Sequence, residues 1–385
     1  MKGLYFDYNA TSPVRPEVQA AVQDLLAAGP GNASSLHAHG RRARSAVERV
    51  RSQILQSLAD PKGRLVFTSG GTEADNLAVY GTAHALRSKG SHVILSSVEH
   101  PAVLGAARAL EEEGFRVEPV PVDAEGRIDL EALEQAITPE TILLSVMHGN
   151  NEVGTIQPIE EIGRIARAHG VLFHTDAVQS FGKVPLDVRR CGADLLSISG
   201  HKLGGLQGTG ALYLRSGLEP SAMLRGGPQE GGLRAGTESV PGIVALGAAV
   251  EKSLEELRAG APARIRTLRD RLEQGLRERA GEVEFNGHPE ERLPGTLNVS
   301  FLGCEGEALL AALDLAGISV STGSACASGS TEPSHVLLAM RLPRERVESS
   351  IRFSLGWGTT EQEIEEALER IPPVVERVRL SRCSS

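Results

Sequence analysis

The chain is predicted to be an α/β protein, with a large domain on a mostly parallel, doubly wound sheet and a smaller α+β domain towards the C-terminus. Three observations predict it. In the first half, short apolar runs alternate with stretches of helical spacing, the pattern of parallel strands joined by helical crossovers. The runs are nearly continuous in apolar character, as in strands covered on both faces. After Gly210 the rhythm changes to a glycine-dense loop, a long helical region and a few later strands. At 385 residues the chain exceeds one ordinary core. The expected division is an N-terminal arm over 1–15, a large domain over 16–250 and a small domain over 251–385.

In chain order, an extended arm precedes a helix over Glu17–Ala27 and the turn GPGNASS. Arg41–Leu58 places Ala43, Val47, Val50, Ile54 and Leu58 on one helical face among arginines. Leu65–Phe67 reads as a strand, TSGG as a turn and Thr72–Ser88 as a helix. His92–Ser96 and Pro101–Glu113 repeat that pair. Arg116–Val120 and Ile142–Met147 follow as strands, and Ile159–Ala168 as a helix. Val171–Phe173 and Leu195–Ile198 read as buried strands, then Ala211–Leu214. Pro241–Arg279 reads as one long helical region. Beyond it come strands near Val283–Phe285 and Thr296–Phe301, a helix over Glu305–Ala316, a strand over Ser350–Ser354 and a final helix over Glu361–Val378.

Composition narrows the function. A net charge of -9 and only 3% aromatic residues argue against a nucleic-acid surface. The start, MKGLYFDYNATSP, lacks the apolar core and small-residue cleavage site of an export signal. The most apolar later stretch, Val240–Val250, is short and broken by Pro241, Gly242 and Gly247, so no membrane span is expected. Cys191, Cys304, Cys326 and Cys383 show no zinc spacing, and a reducing, cytoplasmic setting is expected.

The segment from Val171 to Lys202 organises the chemistry. Its two apolar runs, as parallel strands, would deliver Asp176 and Lys202 to one edge of the sheet, where ligands of open α/β sheets sit. Lysine is rare, confined to Lys2, Lys62, Lys89, Lys183, Lys202 and Lys252, yet one falls in SISGHKLGG. A carboxylate and an amine in one crevice suit pyridoxal phosphate, which needs a Schiff-base lysine and an acid for its ring nitrogen; a surface lysine beside a glycine turn is the plainer alternative. TSGGTEADNLA offers Gly71 and Thr72 at a helix start, either as an anion cradle or as an ordinary cap. His100 could stack on a flat cofactor or merely cap the helix that follows. Asn150 and Asn151 end a strand, where one amide could meet a cofactor hydroxyl or both could serve a turn. Gln179 could donate to a ring oxygen, and Ser199 and His201 could reach a phosphate. Cys326 sits among small polar residues in STGSACASGS, unlike a core cysteine, and suits a travelling nucleophile. Arg352, within an apolar strand, could fork onto a carboxylate.

Together the stretches YFDYNATSPVRPEV, GNASSLHAHGR, FTSGGTEADNLA, EHPAVL, MHGNNEVGTIQP, HTDAVQSFGKVPLDV, SISGHK, LRAGTE, STGSACASGSTEPSHVL and SSIRFSLG resemble the cysteine desulfurases of the class V aminotransferase group. They occur in family order over nearly the whole length. The resemblance implies a fold type I homodimer with its sites at the dimer interface and pyridoxal 5'-phosphate as cofactor. It implies conversion of L-cysteine to L-alanine, with sulfur passing to an enzyme persulfide for iron–sulfur cluster assembly and tRNA thiolation. Lys202 would be the Schiff-base lysine, Asp176 the partner of the pyridine nitrogen and His100 the stacking residue. Asn151 and Gln179 would lie near the ring oxygen. Gly71, Thr72, Ser199 and His201 would hold the phosphate, joined by Thr237 of the partner subunit. Arg352 would bind the substrate carboxylate with Asn32 nearby, and Cys326 would attack the substrate sulfur. No intrinsic metal is expected, although Cys326 could ligate a cluster in transit. The expected partner is an iron–sulfur scaffold or another sulfur acceptor protein. One departure stands out: after the lysine the text is LGGLQGTG, with Leu206 and Gln207 where relatives carry a Pro-Lys pair. A selenocysteine lyase, an aminotransferase of the same fold, or a non-catalytic sulfur-relay platform are the rival readings.

Overall fold

The computed structural model describes residues 3–322 and 333–382. Its centre is a seven-stranded sheet in the order Arg64–Thr68, Gly210–Leu214, Leu195–Ser199, Leu172–Asp176, Thr141–Ser145, His92–Ser96, Arg116–Val120. Gly210–Leu214 runs antiparallel to both neighbours, and every other pairing is parallel. The expected α/β, mostly parallel, doubly wound architecture is therefore observed. Alternation along each strand sends side chains to opposite faces. Leu65, Phe67, Leu196 and Ile198 join Val47, Ile54 and Leu246 in one core. Val66, Leu195 and Leu212 face the other way, against Val103 and Leu110. Helices cover both faces, which explains why the strands read as unbroken apolar runs.

A second, antiparallel sheet orders Ser350–Ser354, Thr296–Phe301 and Val283–Asn286, with Thr296–Phe301 central. Its core includes Leu272, Val299, Phe353, Ile364 and Ile371, joined by Leu4 and Phe6 from the other end of the chain. The arm earns that place by pairing Leu4–Tyr5 in parallel with Ile318–Ser319 and bridging Asp7 to Ser354. It then crosses to the large sheet, where Ser12 N donates to His201 O and Arg15 N to Gly204 O. The arm thus ties the two sheets together at the point where their edges meet.

Two helical expectations need correction. The stretch Thr72–Ser88 is not one α-helix: it runs as Gly71–Asn76, a π-helical turn over Leu77–Gly81, and Thr82–Leu86. At the wide turn the Gly81 carbonyl accepts from Ser221 N at 2.9 Å, and a Cβ at Gly81 would lie 2.8 Å from Ser221 O. Close approach of a neighbouring loop is met by widening the helix. Pro241–Arg279 is likewise two helices, Val240–Arg258 and Ala261–Arg279. Gly260 between them adopts φ +83°, a left-handed conformation that ends a helix and that glycine enters without steric cost. A helix over Leu130–Ala136, capped by Asp129, is additional. Among the described residues no helix is long and apolar enough to cross a membrane.

Candidate active site

Five strands end at one edge of the large sheet, and each hands a chemically useful residue to the same cavity. Asp176 closes Leu172–Asp176, and Ser199 closes the neighbouring Leu195–Ser199, followed by a 3-10 turn over Gly200–Leu203 that carries His201 and Lys202. His100 follows His92–Ser96, Asn151 follows Thr141–Ser145, and Gly71 and Thr72 follow Arg64–Thr68. The cavity has a volume of about 290 Å³ and is lined by all of these together with Gln179 and Arg352. Arg352 arrives from the middle of Ser350–Ser354, an outer strand of the second sheet, so the site sits where the two sheets meet.

Lys202 Nζ donates to Asn9 O at 2.6 Å and Ala10 O at 2.7 Å, both on the arm. The departure LGGLQG leaves this turn intact. Gly205 N donates to Gly200 O at 2.9 Å, Leu206 packs against the core and Gln207 is exposed. Asp176 Oδ1 accepts from Val178 N at 2.8 Å, and burial holds its carboxyl up at about 6 against the opposing pull of Lys202. His100 does both things its position allows: Nδ1 accepts from Ala102 N at 3.1 Å, capping the helix Pro101–Glu112, while the ring lines the cavity. That backbone donor puts the neutral ring's proton on Nε2. Burial, then the charge of Lys202, pushes His100 down to about 4, so it stays uncharged at neutral pH. His201 Nδ1 lies 3.1 Å from Thr11 Oγ1 and is pushed down to about 4 chiefly by burial.

The asparagine pair separates cleanly. Asn150 is the turn residue, its Oδ1 accepting from Glu152 N and Val153 N, whereas Asn151 lines the cavity. The buried Arg352 donates through Nη1 to Asn151 O at 3.1 Å and through Nη2 to Asp7 Oδ1 at 2.8 Å. Thr237 and Asn32 are exposed and do not line the cavity of this chain; Asn32 Oδ1 accepts from Ser34 N. Cys326 lies outside the described residues. Cys191 is buried, and burial raises its thiol to about 11. Cys304 is also buried, with Sγ 3.7 Å from Val375 O.

Three site residues escaped the sequence reading. Asn9 supplies the carbonyl shared by Lys202 and Gln179, whose Nε2 donates to it at 2.9 Å. Asp75 lines the cavity, fully buried, with Oδ1 lacking a hydrogen-bond donor and 3.7 Å from His174 Nε2. Its signal was visible, since it falls beside Ala74, Leu77 and Ala78 on the apolar side of its helix. Burial and the nearby Asp176 raise its carboxyl well above the usual range. Glu99 is the third: it does not line the cavity but is buried next to His100 in the chain, its Oε1 accepting from Met147 N and Ser96 Oγ.

Burial lifts Glu99 to about 8, which gives a pH prediction. Its folded-state value lies above its unfolded one, so its contribution is full below about pH 4.5 and is lost as pH rises to 8. Glu99→Gln removes that proton. In urea denaturation of the cofactor-free protein, the difference between variant and wild type should be smallest near pH 4. The variant should then gain on the wild type by up to about 1.4 kcal/mol per pH unit towards pH 8. A constant difference across that range would refute the assignment.

The residues fit a planar, phosphorylated aldehyde. Gly71 starts a helix against the cavity, and a Cβ there would lie 2.8 Å from Val178 Cγ2, so glycine permits the close approach of backbone N–H groups. Thr72, Ser199 and His201 surround that end, and the Lys202 amine and the Asp176 carboxyl line the same cavity.

Comparison with known proteins agrees with this geometry. Residues 4–367 match the family Aminotransferase class-V. The chain is 45% identical over 376 residues to the cysteine desulfurase IscS of Dictyoglomus turgidum, covering 98% of this chain and 95% of that protein. The chain belongs to the cysteine desulfurases of the class-V aminotransferase family. A solved NifS-like protein superposes with a TM-score of 0.91 at 36% identity, covering 97% of this chain and all 100% of the other. SspA, solved in complex with cysteine, superposes at 0.81 with 37% identity over 91% of this chain and 98% of that one. Members of this family depend on pyridoxal phosphate, and this cysteine desulfurase shares that cofactor.

Proposed function

We propose that this cysteine desulfurase converts L-cysteine to L-alanine at the cavity around Lys202 and passes the sulfur to Cys326. The observation that carries the residue roles is the convergence of Lys202, Asp176, His100 and Arg352 on one cavity from four separate elements. Pyridoxal phosphate, when bound, supplies an electron sink for the pair left by a broken Cα–H bond. Arg352 holds the substrate carboxylate, its guanidinium already fixed by Asp7 and Asn151 O. The Lys202 amine takes the α-proton. His100, uncharged and with its proton on Nε2, sits where it can hand a proton on. Asp176 would keep a proton on the ring nitrogen. Gly71, Thr72, Ser199 and His201 would hold the phosphate, with Asn151 and Gln179 towards the ring oxygen.

The sulfur step balances without an outside oxidant. The Cys326 thiolate forms an S–S bond with the substrate sulfur while the C–S bond breaks. The carbon keeps that electron pair and gains a proton, giving alanine and a Cys326 persulfide. Support comes from the two thiols among the described residues, Cys191 and Cys304, which are withdrawn into cores. SspA, a similar protein, was solved with cysteine bound. The working form is a homodimer in which Thr237 of the partner subunit reaches the phosphate and Asn32 approaches the substrate. The sulfur goes to a scaffold protein of iron–sulfur assembly or another acceptor, in the cytoplasm. Incubation with L-cysteine tests this: alanine should accumulate, and mass mapping should place one added sulfur on Cys326. Alanine without sulfur at Cys326 would overturn the nucleophile assignment.

A further inference from the structure

A second lysine stands directly behind the reactive one and is given no part by the proposed reaction. Lys183 follows Gln179 by four residues in a segment of tight turns, and its Nζ donates to Gln179 Oε1 at 3.1 Å. An ammonium can only donate, so charged Lys183, together with the acceptor Asn9 O, decides which end of the amide points away from it. Gln179 Nε2 is thereby aimed at Asn9 O, 2.9 Å away, the same carbonyl that accepts from Lys202 Nζ at 2.6 Å. The result is a continuous chain, Lys183 to Gln179 to Asn9 O to Lys202.

The electrostatic setting makes this amine unusual. Lys183 and Lys202 share a small cavity of about 60 Å³ with Arg15, Glu256 and Trp357. Arg15 is already neutralised by Glu256 at 2.8 Å. Among the described residues no carboxylate lies within ion-pair distance of Lys183. Burial first, then the positive charges of Lys202 and Arg352, push its amine down to about 7. The influence runs back as well, because Lys183 also helps to hold His201 uncharged.

We propose that Lys183 is a positioning residue. It orients the Gln179 amide towards Asn9 O and the ring oxygen, and its positive charge favours the uncharged form of the nitrogen that joins Lys202 to the cofactor. The orienting bond survives in either protonation state of Lys183, whereas the charge effect acts only while the ammonium is present. Both effects act on Lys202 through space and through the carbonyl it shares. The inference rests on the assignment of Lys202 as the cofactor-bearing lysine.

The test is a pH titration of the visible absorbance band in the cofactor-loaded protein, whose position reports the protonation of that nitrogen. Lys183→Met should raise the midpoint by roughly 0.5–1 pH unit, a three- to tenfold gain in proton affinity. Lys183→Arg should keep the wild-type midpoint. Lys183→Gln, which retains a donor without a charge, should shift like the methionine variant and also serves if methionine is poorly tolerated. Gross loss of structure would not produce rescue by arginine alone. A coloured Lys183→Met or Lys183→Gln protein with an unmoved midpoint overturns this inference and leaves the cofactor assignment standing. A wild type that stays colourless, with no borohydride-fixed mass at Lys202, overturns both.

Discussion

Lys202→Arg should bind pyridoxal phosphate without a covalent link and lose desulfurase turnover by on the order of 10²–10⁴-fold or more. The argument begins with what arginine preserves. Lys202 Nζ satisfies two arm carbonyls, Asn9 O and Ala10 O. Truncation to alanine would take that donor away from both, and any activity loss would be mixed with damage to the arm. A guanidinium keeps the charge and donors, so the fold around the arm stays close to the wild type. What it lacks is an amine that can condense with an aldehyde and, once released, accept a proton. Three measurements separate these effects: thermal melting unchanged within a few degrees, no mass gain at residue 202 after borohydride, and no alanine from L-cysteine. Turnover above a tenth of the wild-type rate would exclude Lys202 as the proton-accepting amine.

How much of this site could be read from the chain depends on how far apart its parts lie. Asp176 and Lys202 were legible because each closes an apolar run, and the parallel pairing of Asp176 with Ser197 brings those runs side by side. Gly71, Thr72 and His100 were legible for the same reason, as strand-end residues opening helices. Asn9 was not, because its role rests on a carbonyl brought in by an arm whose strand is only two residues long. No periodicity marks such a segment. Asp75 was half legible: its place beside an apolar helical stripe implied burial, but its neighbour Asp176 is supplied by a distant strand. The long helical reading of Pro241–Arg279 failed at Gly260 because helical spacing continues on both sides of the break, and spacing does not report φ. The π turn at Leu77–Gly81 was invisible for a similar reason, since the loop that presses on Gly81 comes from far along the chain. Lys183 carried a signal in its rarity, and only the fold revealed that it backs onto Lys202.

Asp176→Asn should leave the protein folded and coloured but slow it by about 10³-fold in kcat. Two buried carboxyls, Asp176 and Asp75, lie close enough to oppose each other's ionisation, so only one carries the negative charge at low cost. Asp176 is the one favoured. Its Oδ1 accepts a backbone N–H from Val178, and Lys202 pulls its carboxyl down, whereas Asp75 has Ser197 alone to lower it and an Oδ1 with no donor. The site therefore concentrates its charge at the carboxylate that ends the strand, where a protonated ring nitrogen would meet it. Asparagine matches the shape and can still accept from Val178 N, but it cannot hold a proton on that nitrogen. Electrons released at Cα then have nowhere favourable to go. Loss of one charge-assisted hydrogen bond should weaken cofactor binding by about 10–100-fold, from about 1.5–3 kcal/mol. The covalent bond at Lys202 should still form, so the visible band and the borohydride-fixed mass at Lys202 persist at saturating cofactor. Stopped-flow turnover with saturating L-cysteine is the deciding measurement. A kcat within tenfold of the wild type would show that the carboxyl at 176 does not govern the ring nitrogen, and the charge would then have to be sought at Asp75.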